Sequence, residues 1–331
     1  MAALYITSLQ AGVGKTTICA GLGKHLLANA KKVGFFKPII AENLPIEGID
    51  SDTLFMKHIL TLAEPVDSLC PVITDHNNLA NRIRQAYTKV SSGKDVVIID
   101  GVCQPSIVDA LDARVIGVEV YSEELAKAKL INSYKDFGEY LLGVVWNKVP
   151  RSQLEPVSSQ IFTQFGEAGI NILGVLPEDR ILLALTIGEL AEHIQGEILN
   201  SAEKSVELVE NFMLGAMCID PGPEYFGRKT NKVVVIRGDR PDMQLAALET
   251  STRCLILTGN TAPIPTVLYR AEDERIPIIL AKADTTATVM SIEQALGKTR
   301  FNQAKKLLRL TEIMEQHFDF QAVCKGLGLA G

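Results

Sequence analysis

Residues 8–17 read SLQAGVGKTT and directly follow the apolar run LYIT at residues 4–7. A strand, a glycine-containing loop and a helix in this order are typical of the P-loop, the phosphate-binding loop of many nucleotide-binding proteins. The stretch TTICAGLGKHLLA at residues 16–28 has helical character, and VGFF at residues 33–36 predicts a second strand. We therefore expect the chain to open with a β-α-β unit that presents a P-loop.

The backbone of this loop suits a phosphate group. Gly12 and Gly14 permit tight backbone geometry, so that the N–H groups around Val13 can point at phosphate oxygens. The general pattern G-x-x-x-x-G-K-[ST] has a glycine where this chain has Leu9. The alternative is a glycine-rich turn without function, and the flanking strand and helix favour phosphate binding over it.

Three residues at the start of the helix carry the expected chemistry. Lys15 is predicted to neutralise the β and γ phosphates and is the first candidate catalytic residue. The Thr16 hydroxyl is expected on Mg²⁺, and Thr17 is expected to support the helix start or contact a phosphate. The predicted cofactors are thus ATP and Mg²⁺.

Three further polar residues lie at or near predicted strand ends, and a fourth, Asp52, lies near the start of a predicted helix. Asp100 ends VVIID, where it could hold Mg²⁺ or simply cap a turn. Lys37 in GFFKPI and Asp52 in IDSDTL could belong to the site, or be a surface lysine and a helix cap. Asn147 in VVWNKVP could present its amide to an adenine edge, or be an ordinary loop residue.

The remaining apolar runs predict the fold class. Further buried strands are expected at residues 95–100, 114–120, 140–147 and 170–176, separated by segments of helical length. Their nearly continuous apolar character is typical of parallel strands covered on both faces. The first part of the chain is therefore predicted to be an α/β domain with a mainly parallel sheet, in the manner of a P-loop NTPase.

A second, smaller α/β domain is expected after a boundary near residue 200. We predict a helical stretch over residues 181–199 and place the domains at residues 1–200 and 204–331. The amphipathic run at residues 302–318 predicts a terminal helix that packs on the second domain or, alternatively, binds a partner. Strands of the second domain are expected in KVVVIRG, RCLILTG and IPIILAK.

Charge and composition exclude several classes of protein. The formal net charge is -6, and the lysines and arginines are scattered, so we expect no nucleic-acid partner. The sequence shows neither a signal peptide nor a membrane span, so we expect a cytoplasmic protein without a membrane partner. The cysteines are dispersed without a C-x-x-C pair, which is typical of reduced core thiols, and dispersed histidines give no support to a zinc site.

The first part of the chain resembles the dethiobiotin synthetase-like P-loop ATPases, and in particular the N-terminal region of long-form phosphotransacetylases. This resemblance covers roughly residues 1–200 and rests on GVGKTT, GFFKPI, the Ser51-Asp52 pair, VVIIDG, WNKVP and GVLPEDR. It implies that Lys37 takes part in substrate chemistry as a second catalytic residue. It also implies that Asp52 and Asp100 are metal-side acids and that Asn147 lies beside adenine.

The second part resembles the DRTGG domain in VENFMLGAM, GDRPDMQLAA and CLILTGN. The stretch that corresponds to the name of that domain reads Asp239-Arg240-Pro241-Asp242, so the Thr-Gly-Gly portion is lost. In long phosphotransacetylases the same domain order precedes the acetyl-transfer domain. We expect that domain to be absent here, because the sequence ends at Gly331.

These observations favour a regulatory or sensory ATP-binding protein, with enzymatic activity left open. The alternative is an ATP-dependent carboxylase or ligase; Lys37 favours it, whereas GVCQ after Asp100 lacks the glycine-rich acidic loop of dethiobiotin synthetases. A positioning ATPase of the ParA/MinD kind is disfavoured, because Gln10 stands where that family has its signature lysine. Expected partners are a nucleotide, a small-molecule substrate or effector, a separate acetyl-transfer enzyme and a second copy in a homodimer.

Overall fold

The computed structural model of the chain describes residues 1–40, 50–73, 78–122, 127–216 and 222–329. The chain divides into two compact units. The first comprises Met1–Asp179 and Phe301–Gly331, and the second comprises Arg180–Arg300. Each unit has its own β-sheet with helices.

The first unit is built on a six-stranded sheet in which every pair of neighbouring strands is parallel. The strands are β1 (Ala2–Thr7), β2 (Val33–Phe36), β3 (Ile39–Ile40), β4 (Val72–Ile73), β5 (Val96–Asp100), β6 (Arg114–Val120), β7 (Leu141–Val149) and β8 (Ile172–Pro177). The sheet order is β2-β5-β1-β6-β7-β8, and β3 and β4 form a separate parallel pair. Residues of β1, β2 and β5 are almost entirely buried, as the continuous apolar runs predict.

In the described residues of this unit, α-helices connect these strands. They are α1 (Lys15–Ala28), α2 (Ser51–Ile59), α3 (Val66–Leu69), α4 (Leu79–Ser91), α5 (Pro105–Leu111), α6 (Lys127–Lys135) and α7 (Leu154–Glu167). Local chemistry sets several starts: the Asp50 side chain caps α2 by accepting from the Thr53 N–H, and Pro105 occupies the first turn of α5. The α/β fold class predicted for this part of the chain is confirmed.

The strand order brings the functional loops together. β1 lies between β5 and β6, so the chain leaves β1 toward one side of the sheet and later crosses to the other. Ligands of open parallel sheets bind at such a switch in strand order, beside the carboxyl ends of the strands. The segments after β1, β5, β6 and β7 therefore share one edge of the sheet.

The second unit is also α/β. Its strands are β9 (Leu185–Thr186), β10 (Glu197–Ile198), β11 (Leu208–Val209), β12 (Asn211–Gly215), β13 (Lys232–Arg237), β14 (Thr252–Thr258) and β15 (Ile278–Leu280), and its helices are α8 (Ile187–His193), α9 (Gly222–Phe226), α10 (Pro241–Leu248), α11 (Pro265–Asp273) and α12 (Thr285–Gly297). The main sheet has the order β10-β15-β14-β13-β12, with β10 antiparallel to β15 and the other pairs parallel. Val233 and Val235 pack in one core cluster and Val234 and Ile236 in another, so both faces of β13 are covered.

The predicted helical stretch over residues 181–199 is wrong in extent. Only α8 is helical there, because Thr186 forms a capping box with Glu189 and so fixes the helix start. The helix ends before Gln195, whose φ of 52° is left-handed, and the chain then enters β10. Next to it, a Cβ at Gly196 would lie 2.5 Å from Ile279 Cγ2, which favours glycine at this turn.

The last two helices belong to the first unit. α13 (Leu307–His317) packs on α1 and β8, and α14 (Phe320–Gly326) follows it. Gly21 of α1 leaves room for Met314, since a Cβ there would lie 2.0 Å from the Met314 sulfur. The structure thus differs from the expectation of a terminal helix on the second domain, and it places the division between the units at residues 179–180 and 300–301 instead of near residue 200.

Candidate functional site

The loop between β1 and α1 has the backbone geometry expected of a P-loop. Gly12 has φ of 75° and Gly14 has φ of 97°, both in the left-handed region that favours glycine. α1 begins at Lys15, immediately after Gly14. The N–H groups of its first turn have no partner within the helix, and this end of the helix dipole attracts anions.

Two residues at the end of β7 bind the carbonyl groups of this loop. The side chain of Asn147 donates from Nδ2 to the Val13 carbonyl at 2.9 Å, and Lys148 Nζ donates to the Gly12 carbonyl at 2.9 Å. A Cβ at Gly14 would lie 2.4 Å from Asn147 Nδ2, so this contact also requires glycine. Burial lowers the pKa of Lys148. These two hydrogen bonds hold the loop from β7, which lies two strands away from β1 in the sheet.

Lys15 is the first residue of α1, directly after Gly14. Its Nζ atom donates to Ser8 Oγ at 3.2 Å and lies 4.0 Å from Asp100 Oδ1. Ser8 Oγ in turn donates to the Gln10 carbonyl at 2.6 Å. A cation with only a weak hydrogen bond and a distant carboxylate is well placed to turn to a phosphate oxygen.

Thr16 connects the two candidate metal-side acids. Its Oγ1 lies 3.3 Å from Asp52 Oδ2 and 3.3 Å from Asp100 Oδ2. Burial raises the pKa of Asp100, and the positive charges of Lys15 and Lys37 act in the opposite direction. The sequence prediction that Thr16, Asp52 and Asp100 share one place agrees with these distances, although their role in metal binding stays a prediction. Thr17 follows Thr16 in the first turn of α1 and is buried.

Lys37 lies in the same cluster and is not a free surface lysine. Its Nζ donates to Asp50 Oδ1 at 2.9 Å and to Asp52 Oδ2 at 2.7 Å. Burial alone would lower the pKa of Lys37, but the charges of Asp100 and Asp52 and the two hydrogen bonds raise it above its ordinary value. The Lys37 partner likewise lowers the pKa of Asp50 against the effect of burial. Lys37 is thus held as a cation.

Sequence reasoning missed Asp50, Lys148 and Glu119. Asp50 was visible as the first aspartate of IDSDTL, and Lys148 follows the predicted Asn147. Glu119 is the one charged side chain inside the apolar run VIGVEV, and its carboxylate accepts from the Leu9 N–H at 3.1 Å. A charged residue in a buried strand was the signal that could have revealed it.

The donor set fits Mg²⁺ in chemical type. Carboxylate and hydroxyl oxygens are the ligands that Mg²⁺ prefers, and it usually completes its shell with water and substrate phosphates. Within the described ranges, no three His, Cys, Asp or Glu side chains converge to hold a metal by themselves. Asp52, Asp100 and Thr16 would therefore hold Mg²⁺ together with a phosphate and water.

The described cysteines are free thiols, most of them in the interior. Cys19, Cys70 and Cys254 are buried and Cys103 and Cys324 are half-buried, all without a disulfide, whereas Cys218 lies outside the described residues. In the described part of the chain, none of the helices has the length and apolar character that crossing a membrane requires.

Two family models match separate parts of the chain. Residues 2–102 match the AAA domain, and residues 189–295 match the DRTGG domain. The first match includes the P-loop, Lys37, Asp52 and Asp100; the second lies within the second structural unit. The predicted resemblance to a P-loop domain followed by a DRTGG domain is confirmed.

Curated relatives are phosphate acetyltransferases. That of Nitrosomonas europaea is 22% identical over 99% of this chain and 52% of its own length, and that of Nitratidesulfovibrio vulgaris is 23% identical over 96% and 50%. The chain thus spans about half the length of these relatives.

Among solved structures, the cell division protein MinD of Aquifex aeolicus is 16% identical, with a TM-score of 0.38 over 55% of this chain and 84% of its own. The CBS and DRTGG domains of the regulatory region of Clostridium perfringens pyrophosphatase, solved with the activator diadenosine tetraphosphate, are 15% identical, with a TM-score of 0.32 over 46% of this chain and 72% of theirs. The two family matches show that this chain carries a P-loop domain and a DRTGG domain, and together these domains resemble the N-terminal region of long-form phosphate acetyltransferases.

Proposed function

We propose that the chain binds ATP with Mg²⁺ at the loop of residues 8–17 and acts as a nucleotide-responsive regulatory region. The observation that carries the proposal is the meeting of Lys15, Thr16 and Asp100 beside the start of α1, in a loop with two left-handed glycines. Lys15 and the first N–H groups of α1 would bind the phosphates. Thr16, Asp52 and Asp100 would hold Mg²⁺, and the ion would neutralise negative charge on the phosphates.

Asn147 supports the nucleotide assignment because its amide binds the phosphate loop and could also meet an adenine edge. One N–H of its amide is engaged by Val13, which leaves the second N–H and the carbonyl oxygen for an adenine edge. Asn147 would then contact the base and the phosphate loop at once. Binding of the base would then affect the geometry of the phosphate loop through the Asn147 side chain.

The regulatory part of the proposal rests on the resemblance to phosphate acetyltransferases. The matched region includes a DRTGG domain, and the chain spans about half of these relatives. We propose that a separate or attached acetyl-transfer enzyme responds to the nucleotide state of this region in the cytoplasm, and that the chain forms a homodimer. Such a response requires that the nucleotide bind two conformations with different affinity.

The direct test is isothermal titration of ATP into the protein with Mg²⁺, compared with Lys15→Ala. Lys15 is a partly exposed side chain at the first position of α1, so its loss should abolish ATP binding while both units stay folded by circular dichroism. Equal ATP affinity in the two proteins would contradict the site. ATP hydrolysis is then measured on the same samples, since tight binding without turnover supports a regulatory role.

A second candidate function is favoured by one observation, the position of Lys37. Its cationic Nζ lies 2.7 Å from Asp52, inside the cluster that would hold Mg²⁺. A fixed cation there would stabilise negative charge on a carbamate or acyl phosphate, as an ATP-dependent carboxylase or ligase requires. ATP turnover that rises with bicarbonate plus an amine, or with a carboxylate metabolite, and falls in Lys37→Met would establish this function instead.

A further inference from the structure

Glu119 is a fully buried carboxylate that the proposed binding of phosphate and Mg²⁺ does not use. It lies in β6, and none of its surface is exposed to solvent. Its Oε1 atom accepts two hydrogen bonds, from the Leu9 N–H at 3.1 Å and from the Tyr134 hydroxyl at 2.5 Å. Within the described part of the chain, its Oε2 atom has no hydrogen-bond partner.

Stability alone gives little reason for a carboxylate at this position. A buried carboxyl group is costly unless it is well hydrogen-bonded, and an apolar residue would continue the strand at lower cost. Burial accordingly raises the pKa of Glu119, against the effect of its two hydrogen bonds and of the Lys15 charge. Costly buried polar groups are concentrated at functional sites, where they hold a required geometry.

The atom that Glu119 holds belongs to the phosphate loop. Leu9 stands at the position where the general P-loop pattern has its first glycine, so this chain has lost the conformational freedom of that glycine. The Leu9 N–H is instead fixed to a carboxylate from the neighbouring strand, 110 positions later in the chain. At the far end of the loop, Asn147 and Lys148 fix the carbonyls of Val13 and Gly12.

The surroundings of Glu119 keep this oxygen in place. Tyr134 is fully buried and packs over Gly117, where a Cβ would lie 2.3 Å from its ring. Gly117 pairs with Thr7, the last residue of β1, so the tyrosine lies against the strand end from which the loop departs. Gly117 leaves room for the ring of Tyr134. The Tyr134 hydroxyl binds the same carboxylate oxygen as the Leu9 N–H and so helps to orient Glu119 toward Leu9.

We propose that Glu119 is a positioning residue that holds the first part of the phosphate loop in its phosphate-binding shape through the Leu9 N–H. The proposal rests on the proposed function, in that the loop binds ATP. It assigns the hydrogen bond, and not the negative charge, as the property that matters. A side chain with the same reach and an oxygen acceptor should replace Glu119, whereas a shorter carboxylate should not.

The test compares Glu119→Gln, Glu119→Asp and Glu119→Met for ATP affinity with Mg²⁺ by isothermal titration. Gln keeps an oxygen at the same reach, so its dissociation constant should stay within about 3-fold of the wild type. Asp and Met lose the contact with Leu9, so we expect affinity to fall about 10-fold or more. Tyr134→Phe removes the hydroxyl that helps to orient Oε1 and leaves the Leu9 contact itself available, so it should weaken ATP binding, but by less than Glu119→Asp does.

A second measurement separates this proposal from nucleotide binding itself. Amide hydrogen exchange at Leu9, measured without nucleotide, should be slow in the wild type and Glu119→Gln and faster in Glu119→Asp. Absence of ATP binding by the wild type would contradict the proposed function while leaving this exchange experiment decisive for the contact. Wild-type affinity in Glu119→Asp, a loss in Glu119→Gln as large as in Glu119→Asp, or a loss in Tyr134→Phe of that size would overturn the positioning role. If Glu119→Met does not fold, the Gln and Asp variants decide.

Discussion

Asn147 Nδ2 donates a 2.9 Å hydrogen bond to the carbonyl oxygen of Val13, 134 positions earlier in the chain. The contact joins the carboxyl end of β7 to the middle of the phosphate loop. It also brings Asn147 Nδ2 so close to Gly14 that a Cβ on Gly14 would lie 2.4 Å from it. Gly14 is thus required for two reasons, its φ of 97° and this approach, whereas Gly12 is required for its φ of 75° alone.

The two glycines should therefore differ in tolerance to alanine. We expect Gly14→Ala to weaken ATP binding about 10-fold or more, because the new methyl group must displace Asn147 in addition to adopting a strained φ, which by itself costs about 1–2 kcal/mol. Gly12→Ala has open space around its Cβ and should weaken binding less. Isothermal titration of ATP into both variants makes the comparison, and an equal loss in the two would argue against the Asn147 contact.

The local part of the site could be predicted from sequence because each residue lies in a recognisable pattern. GVGKTT and VVIID gave the loop and Asp100, and the predicted strands at residues 33–36 and 114–120 coincide with the observed ones. A motif encodes neighbours within a few positions, and a continuous apolar run encodes burial on both faces. Both signals are independent of tertiary contacts.

The missed features depend on contacts between distant segments. No local pattern indicates that Lys148 reaches the Gly12 carbonyl or that Glu119 reaches Leu9. The amphipathic pattern of the terminal helix shows that one face is buried, but the same pattern would serve against either unit. The terminal helix packs on the first unit because Gly21 leaves space for Met314, and this space is visible only in the folded structure.

Asp100 should matter more for nucleotide binding with Mg²⁺ than without it. Its Oδ2 lies 3.3 Å from the Thr16 hydroxyl, so both would face the same cation. Asp100→Asn keeps the size and removes the charge, and we expect it to lower ATP affinity about 10-fold with Mg²⁺ and much less in EDTA. Titrations under both conditions test this, with equal losses counting against a metal role.

The packing of α13 on α1 can be tested at Gly21. A Cβ there would lie 2.0 Å from the sulfur of Met314, which is fully buried, so Gly21→Ala should lower the free energy of unfolding by about 1–3 kcal/mol. Gly166→Ala in α7 is the matched control, since its Cβ meets nothing within 4 Å and alanine favours the helix. Urea denaturation measures both variants.

A double variant tests the contact between Gly21 and Met314 directly. In Gly21→Ala combined with Met314→Ala, the clash is removed, so the two losses should not add. Additive losses would show that Gly21 and Met314 do not meet and that the terminal helix packs elsewhere.

Lys232 in the second unit predicts a dependence of stability on pH. The residue is fully buried at the start of β13, and its Nζ donates to Thr250 Oγ1 at 2.9 Å. Burial lowers the pKa of Lys232 from 10.5 to about 8. Between these two pH values the unfolded chain binds more protons at this position than the folded protein, so the free energy of unfolding should rise with pH across this window.

Lys232→Met removes this ionisation and keeps the approximate size of the side chain. At pH 7, where the folded protein must bury the charge, we expect the variant to be more stable than the wild type by about 1–3 kcal/mol. The difference should shrink toward pH 10, because the wild type then buries a neutral amine. Urea denaturation at pH 7 and pH 10 tests this, with the exposed Lys298→Met as control; an advantage of Lys232→Met that stays constant with pH would show that packing, and not the buried charge, is responsible.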